Sequence, residues 1–467
     1  MTSLVRAPFR LRRVNLVLAL MLVLGATYLA SGLTRGPLNS RPSGALLVGP
    51  DLAAVGAPTV GVPTPGANER LLARYARAID AWASNVASNP GDNLSATNLG
   101  TVYVGRARLT GDLGDYQRAM AAVDRALAIA PDYLPTRELR ATILFAIHDF
   151  AGARAEANQV LEVDPTRFGA LAVSADASLE LGDIETARAE YATLADVAAS
   201  PPVWSRLAHL AFLDGDTDRA IGLAERSVEA TTTDTGPEAA AFYAFQLGTL
   251  YLARGNLDGA AAAFGEALTR LPGHVPATAG LARVREAQGR RAEAIALLEA
   301  ATARVPQPEL VAALGDLYAL DGDRIAAQRQ YALVERIGEV GRAVGSVYDR
   351  QLILFAADHD RGIEAALATA RASLSVRADL YGHDALAWVL FKAGQLDEAA
   401  SEAALALALG TQDPRLAYHA GMIAAALGHT AEARELLAQA VAGSAYLPPL
   451  QVPIAERALA DLSGVRP

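Results

Sequence analysis

The sequence predicts an all-α fold, a right-handed solenoid of about ten helix–turn–helix units. Three observations lead to this prediction. A glycine followed five residues later by an alanine recurs in fixed phase, with steps of mostly 33 or 34 residues. Apolar residues between successive glycines fall at helical spacing. The composition is 52% hydrophobic but only 6% aromatic, which suits a long array of small units rather than one compact aromatic core.

The N-terminus predicts a membrane anchor. Four arginines in the basic tail 1–13 precede an apolar run at residues 14–33. A run of about 20 residues can span a bilayer, and the arginines place the N-terminus in the cytoplasm. We therefore expect a single transmembrane signal anchor with the rest of the chain outside the cytoplasm. A signal peptide cleaved near residues 30–32 is the alternative.

The remaining chain divides into four segments. Residues 34–67 are rich in proline and glycine and predict an extended linker. Segment 68–91, with a helix over Glu69–Ser88, is expected to cap the first unit. The repeats then cover residues 92–445. Segment 446–467, with a helix at about Pro453–Leu462, is expected to cap the last unit.

The clearest unit spans residues 241–272. Gly248 lies on the inner face of its first helix, and Gly255 ends that helix because glycine readily adopts the left-handed conformation. Ala260 and Phe264 share one face of the second helix. We expect Gly248 and Ala260 to be small because two antiparallel helices approach closely there.

This order of residues resembles the tetratricopeptide repeat, a helix–turn–helix unit with L-G, Y, A, F and P at these spacings. The resemblance implies that the first helices of successive units line a concave groove that holds peptides or partner segments. The repeat alanine occurs ten times in phase: Ala119, Ala153, Ala187, Ala220, Ala260, Ala294, Ala327, Ala365, Ala399 and Ala433.

Three places depart from the pattern. Residues 110–115 predict a longer loop in the first unit, and residues 231–237 predict a looser junction between the fourth and fifth units. The eighth unit has Ile353 where others have glycine or alanine, and its turn is Asp358-His359-Asp360-Arg361-Gly362.

Large side chains at groove positions are the candidate partner-binding residues, because aromatic residues and methionine are enriched at binding hot spots. Seven are predicted to face the groove: Tyr381, Trp388, Phe391, Tyr418, Met422, Phe242 and Phe245. The alternative is that these side chains pack internally, against neighbouring helices or the C-terminal segment 446–453.

No pattern of chemical groups predicts an enzyme, a metal site, a cofactor or a small-molecule substrate. The seven histidines form no His-x-x-x-His pair, and the chain has no cysteine. Asp358-His359-Asp360 is the densest cluster, and a turn with a helix-capping aspartate explains it. His383-Asp384 is expected to be a solvated pair. The net charge of −10 argues against nucleic acid as the partner.

The sequence thus favours a membrane-anchored scaffold that binds a protein or peptide outside the cytoplasm. Two alternatives stay open. One is an envelope biogenesis or secretion assembly factor, and the other is a secreted, soluble binding protein.

Overall fold

The computed structural model describes residues 67–343 and 349–464. The helices in these ranges are α1 (Ala67–Ser88), α2 (Asn93–Thr110), α3 (Leu113–Ile129), α4 (Leu134–Ala146), α5 (Phe150–Val163), α6 (Phe168–Glu180), α7 (Ile184–Val197), α8 (Pro201–Leu213), α9 (Thr217–Glu229), α10 (Pro237–Ala253), α11 (Leu257–Arg270), α12 (Val275–Ala287), α13 (Arg291–Arg304), α14 (Pro308–Leu320), α15 (Arg324–Ala343), α16 (Asp349–Asp358), α17 (Ile363–Val376), α18 (Leu380–Lys392), α19 (Leu396–Ala406), α20 (Pro414–Ala426), α21 (Thr430–Ala442) and α22 (Gln451–Ser463).

Helices α2–α21 form ten consecutive antiparallel pairs, which are numbered here as units 1 to 10. This confirms the predicted all-α array. Helix α1 precedes the first pair and packs on α2 through Ile79 and Val86. Helix α22 follows the last pair and packs on α21. The basic tail 1–13, the apolar run 14–33 and linker residues 34–66 lie outside the described residues.

The repeated small residues mark close contacts between helices. A Cβ atom on Gly248 would lie 2.6 Å from the ring of Phe264 on the paired helix. Ala260 is fully buried. Gly255 ends α10 with a φ of 77°, and equivalent glycines end most other first helices with positive φ. In unit 2, His148 takes this conformation with a φ of 67°.

The predicted loop at residues 110–115 is wrong. Helix α2 continues to Thr110, and only Gly111 and Asp112 separate it from α3. The extra residues of unit 1 therefore lengthen both helices, α2 at its end and α3 at its start. Val104 and Ala107 are buried in this last part of α2, and this apolar packing stabilises additional helical turns.

The predicted repeat alanine of unit 8 is also wrong by one position. Ala365 is exposed, whereas Ala366 is 8% exposed and belongs to the core. Two residues of this turn, Asp360 and Gly362, have positive φ angles of 51° and 56°. The turn is one residue longer than that of a regular unit, so the inward position moves by one.

The array closes on itself, with units 3, 4 and 5 against units 8, 9 and 10. Three turn glycines each lie beside a backbone carbonyl oxygen of a distant unit: Gly182 beside Ala378, Gly215 beside Gly410, and Gly255 beside Ala442. Cβ atoms at these glycines would lie 2.2, 2.2 and 2.7 Å from those oxygens. The offset is five units in each case.

Side chains reinforce this closure. Arg377, which follows unit 8, forms an ion pair with Glu180 of unit 3. Its guanidinium carbon also lies 4.8 Å from the centre of the Phe150 ring. The Thr411 hydroxyl donates to the Phe212 carbonyl oxygen at 3.3 Å. A short 3-10 turn at Ser444–Tyr446 contacts α10, α12 and α20, so the C-terminal segment also joins distant units.

Among residues 67–343 and 349–464, no helix has both the length and the apolar character needed to cross a membrane.

Candidate functional site

Four of the seven predicted groove side chains line one cavity of about 110 Å³ at the C-terminal end of the array. They are Trp388, Phe391, Tyr418 and Met422. The C-terminal segment supplies a second wall, and three charged side chains complete the lining. These additional residues are Pro448, Leu450, Gln451, Ile454, Asp316, Asp358 and Lys392.

The aromatic wall of the cavity, formed by Trp388, Phe391 and Tyr418, is also part of the protein core. Trp388 is 2% exposed and lies between two stacked rings, Phe391 with a centroid distance of 5.0 Å and His419 with one of 4.3 Å. Tyr418 is also 2% exposed. Phe391 and Met422 are only partly buried. Of the four, Phe391 and Met422 are therefore the side chains that a partner reaches most easily.

Carboxylates form the polar end of the cavity. Trp388 Nε1 donates to Asp358 Oδ1 at 2.7 Å, and Gln451 Nε2 donates to the same oxygen. Burial raises the pKa of Asp358, although His419 and the hydrogen bond from Trp388 act in the opposite direction. These two donors attach both the aromatic wall and the C-terminal segment to one carboxylate.

Asp316 holds the second carboxylate beside the cavity. Its Oδ1 accepts from the Tyr331 hydroxyl at 2.9 Å and lies 2.8 Å from His359 Nε2. Burial lowers the pKa of His359, but Asp316, together with the Phe355 carbonyl and the Asp358 charge, raises it above the usual 6.5.

The cluster Asp358-His359-Asp360 is more than a turn with a helix cap. Each side chain has its own tertiary partner: Asp358 binds Trp388, His359 binds Asp316, and Asp360 pairs with Lys392 at 2.8 Å. Within the described ranges, no group of three or more potential ligands is placed to hold a metal ion.

The predicted solvated pair His383-Asp384 is wrong. Asp384 is 2% exposed and lies 2.8 Å from His419 Nδ1. His383 Nδ1 lies 2.7 Å from Glu402 of the paired helix. Both side chains therefore have partners on other helices, although His383 stays partly exposed.

The other three predicted groove residues lie elsewhere. Tyr381 packs between Arg350 and Arg415, whose guanidinium carbons are 5.4 and 5.9 Å from the centre of its ring. Phe245 packs against Phe264 and His274. Phe242 is 6% exposed.

Phe242 lines a second, smaller cavity of about 30 Å³. Several polar groups that line this cavity are already paired within the described chain. Arg206 forms an ion pair with Asp176 at 2.9 Å. Ser205 donates to Gln246 at 2.7 Å. Paired groups of this kind stabilise the packing between units.

The inner helices are enclosed more completely than those of an open groove. In α18, every residue of Asp384–Leu390 is buried, and in α6 the same holds for Gly169–Leu179. A helix with one solvated face would show exposed positions every three or four residues. The assignment of the seven side chains to a partner groove stays a prediction, and the internal packing of Trp388, Tyr418 and Phe242 is the alternative that their burial favours.

Sequence reasoning did not identify the polar residues of the cavity, among them Asp316, Asp358 and Gln451. Asp358 belongs to the cluster Asp358-His359-Asp360, but its position at a turn does not predict a contact with the next unit. Asp316 and Gln451 are far apart in sequence and meet only through the packing of units 7 to 10. Their positions follow from tertiary structure and not from the repeat.

Family models described as tetratricopeptide repeats match the chain at residues 251–317, at residues 174–236 and 205–276, and at residues 100–133. No curated protein sequence matches the chain.

Solved structures show likenesses in helical-repeat fold. PilW, a widely conserved type IV pilus biogenesis factor, is 19% identical with a TM-score of 0.38, covering 44% of this chain and 93% of PilW. Human IFIT1, solved as a dimer with PPP-AAAA, is 16% identical with a TM-score of 0.42. The match covers 74% of this chain and 87% of the IFIT1 chain. A tetratricopeptide repeat protein from Parabacteroides merdae is 18% identical with a TM-score of 0.37. The match covers 51% of this chain and 93% of that protein.

Proposed function

This chain belongs to the tetratricopeptide-repeat family, and from that premise we propose that it is a membrane-anchored scaffold that binds a protein or peptide outside the cytoplasm. The repeats themselves support protein–protein interaction as the general role. The anchor and the compartment rest on the apolar run at residues 14–33 and the arginines before it.

The observation that carries the binding proposal is the cavity at units 9 and 10. It combines aromatic and methionine side chains with a partly exposed rim, a composition typical of binding hot spots. Phe391, Met422 and the 47% exposed Ile454 provide apolar surface there. A partner segment that covers this rim gains apolar burial without unfolding the core.

Crosslinking followed by mass spectrometry tests the binding proposal. The full chain, expressed in its native membrane, carries a photoreactive residue at Met422. The matched control carries the same residue at Val163, which is 70% exposed at the end of α5 and distant in sequence from the cavity. We expect one protein to be captured from Met422 and not from Val163. Equal capture at both positions would contradict a specific site at units 9 and 10.

Fractionation and protease accessibility test the anchor. We expect the full chain to pellet with membranes, to resist extraction by carbonate, and to be cleaved by protease added outside the cytoplasmic membrane. Replacing three central leucines of residues 14–33 with aspartate should release the chain. A wild-type chain recovered in the medium would instead support the secreted binding protein.

A further inference from the structure

The cavity at units 9 and 10 contains a carboxyl group that forms no direct ion pair within the described chain. Asp358 forms no ion pair with any described residue, although Asp316 pairs with His359 and Asp360 pairs with Lys392. Trp388 and Gln451 donate hydrogen bonds to Asp358, but neither carries a charge. Asp358 is partly buried, and of the described residues only the histidines His359 and His419 lie near enough to offset its charge. A bound cation would compensate this carboxylate more fully.

A second acceptor in the same cavity also has no partner. Gln451 is 4% exposed, and its Nε2 donates to Asp358 while its Oε1 has no hydrogen-bond partner among the described residues. Most buried polar atoms in proteins are hydrogen-bonded, so such an exception needs an explanation. A ligand that brings hydrogen-bond donors would satisfy Gln451 Oε1 and the Asp358 carboxylate together.

The remaining walls suit an alkyl chain with a positive end. Phe391, Tyr418 and Met422 line the cavity with apolar and polarisable surface, and aromatic rings attract cations. The cavity of about 110 Å³ has room for several waters or a short alkylamine. Lys392 at the rim is already paired with Asp360.

We propose that this cavity binds a primary ammonium group, supplied by a lysine side chain of the protein partner or by a free alkylamine. An ammonium group offers three donors and no acceptor, which matches a site made of carboxylate and amide oxygens. The two carboxylates disfavour an anion. The lysine form of this inference rests on the proposed scaffold function, whereas the free-amine form does not.

Calorimetric titration of the purified full chain tests the proposal. The probes are n-butylammonium and a short lysine-containing peptide, and the matched control is the same peptide with acetylated lysine. We expect both amines to bind saturably. The acetylated peptide should bind at least about tenfold more weakly than the unmodified peptide, because acetylation removes the charge-assisted hydrogen bonds. Tighter binding of the peptide identifies a partner's lysine, and equal binding identifies a free amine.

Two variants locate the binding. Asp358→Asn removes the charge but keeps an oxygen to accept from Trp388, so the fold should persist. We expect it to weaken amine binding at least about tenfold, as the loss of a charged partner does. Glu364→Gln removes the charge of an exposed carboxylate in the first turn of α17, outside the cavity lining, and should leave amine binding unchanged.

The proposal is overturned if neither amine saturates the wild-type chain, if the acetylated peptide binds equally well, or if Asp358→Asn binds like wild type. Crosslinking from Met422 is read separately. A captured partner with no amine binding would leave the scaffold function standing and reject the ammonium site. Amine binding without a captured protein would support the free-amine form of the site and count against the scaffold.

Discussion

The turns of units 3 to 5 and those of units 6 and 7 share one backbone conformation but have opposite surroundings. Gly215 in unit 4 has a φ of 79°, and Gly289 in unit 6 has a φ of 74°. A Cβ atom on Gly215 would lie 2.2 Å from the Gly410 carbonyl oxygen, whereas one on Gly289 would meet nothing within 4 Å.

Glycine therefore meets different structural requirements at the two positions. At Gly289, glycine is needed only for the left-handed conformation that ends the first helix. At Gly215, it is also needed because a distant unit packs directly on it. The repeat specifies how a unit folds, and the second requirement arises from how units five apart meet.

Alanine at the two glycines should separate these requirements with the largest effect. The left-handed conformation costs an alanine about 1–2 kcal/mol, so Gly289→Ala should destabilise the array by about that amount. Gly215→Ala adds overpacking, about 1–3 kcal/mol more. Urea denaturation measures both, and hydrogen exchange at residues 410–411 should rise only in Gly215→Ala. Equal losses of stability would contradict direct contact between units 4 and 9.

Ion pairs give a second, smaller contrast. Arg377 joins units across the closure through Glu180 and also pairs locally with Asp379; these two carboxylate side chains are 16% and 7% exposed. Arg377→Ala should cost about 1–3 kcal/mol because it leaves the partly buried Glu180 carboxylate unpaired, while Asp379 keeps Arg350. Arg290 pairs with Glu293 in unit 6, but both side chains are 49% exposed, so Arg290→Ala should cost less than about 0.5 kcal/mol. Unfolding free energies of the two variants test this difference.

Acid should weaken the ion pair between Asp379 and Arg377, the residue that pairs across the closure with Glu180. Burial raises the pKa of Asp379, but Arg350 and Arg377 more than compensate, so its pKa in the folded chain lies below 3.8. A depressed carboxyl pKa stabilises the fold above the unfolded value and loses that contribution as pH falls through the folded value. We expect the urea midpoint of the wild-type chain to decrease as the pH is lowered below about 4, and that of Asp379→Asn to decrease less. An equally steep fall in Asp379→Asn would rule out this carboxylate as the cause.

The junction of units 7 and 8 should respond to pH with the opposite sign and the smallest effect. His359 has a raised pKa because Asp316 lies beside it. Its contribution is fully present below pH 6.5, the unfolded value, and is lost as pH rises through the folded pKa. The urea midpoint of the wild-type chain should therefore decline as pH rises above 6.5, and His359→Asn should not show this decline.

The sequence predicted the units because each carries its own local signals. The left-handed glycine at Gly255 and the close approach at Gly248 are set by residues within one unit. Both could be read from spacing alone. The extended α2 and the shifted alanine at Ala366 were missed because helix length and turn length depend on the burial of particular side chains.

The cavity was predicted only in part, for a related reason. Trp388 and Tyr418 were identified from helical phase, since they lie on neighbouring first helices. Asp358 and Gln451 were not, because the contact between them joins residues 93 positions apart through units 8 to 10 and the C-terminal segment. Periodicity carries no information about pairs of this kind.

The closure between units 3 and 8 can be measured directly, because the chain has no cysteine of its own. The double variant Glu180→Cys, Arg377→Cys places two thiols at a contact between residues 197 positions apart. We predict that a short bis-maleimide joins them within one chain, that each single variant gives no such product, and that urea abolishes it. A folded double variant with no intramolecular crosslink would contradict the closed array.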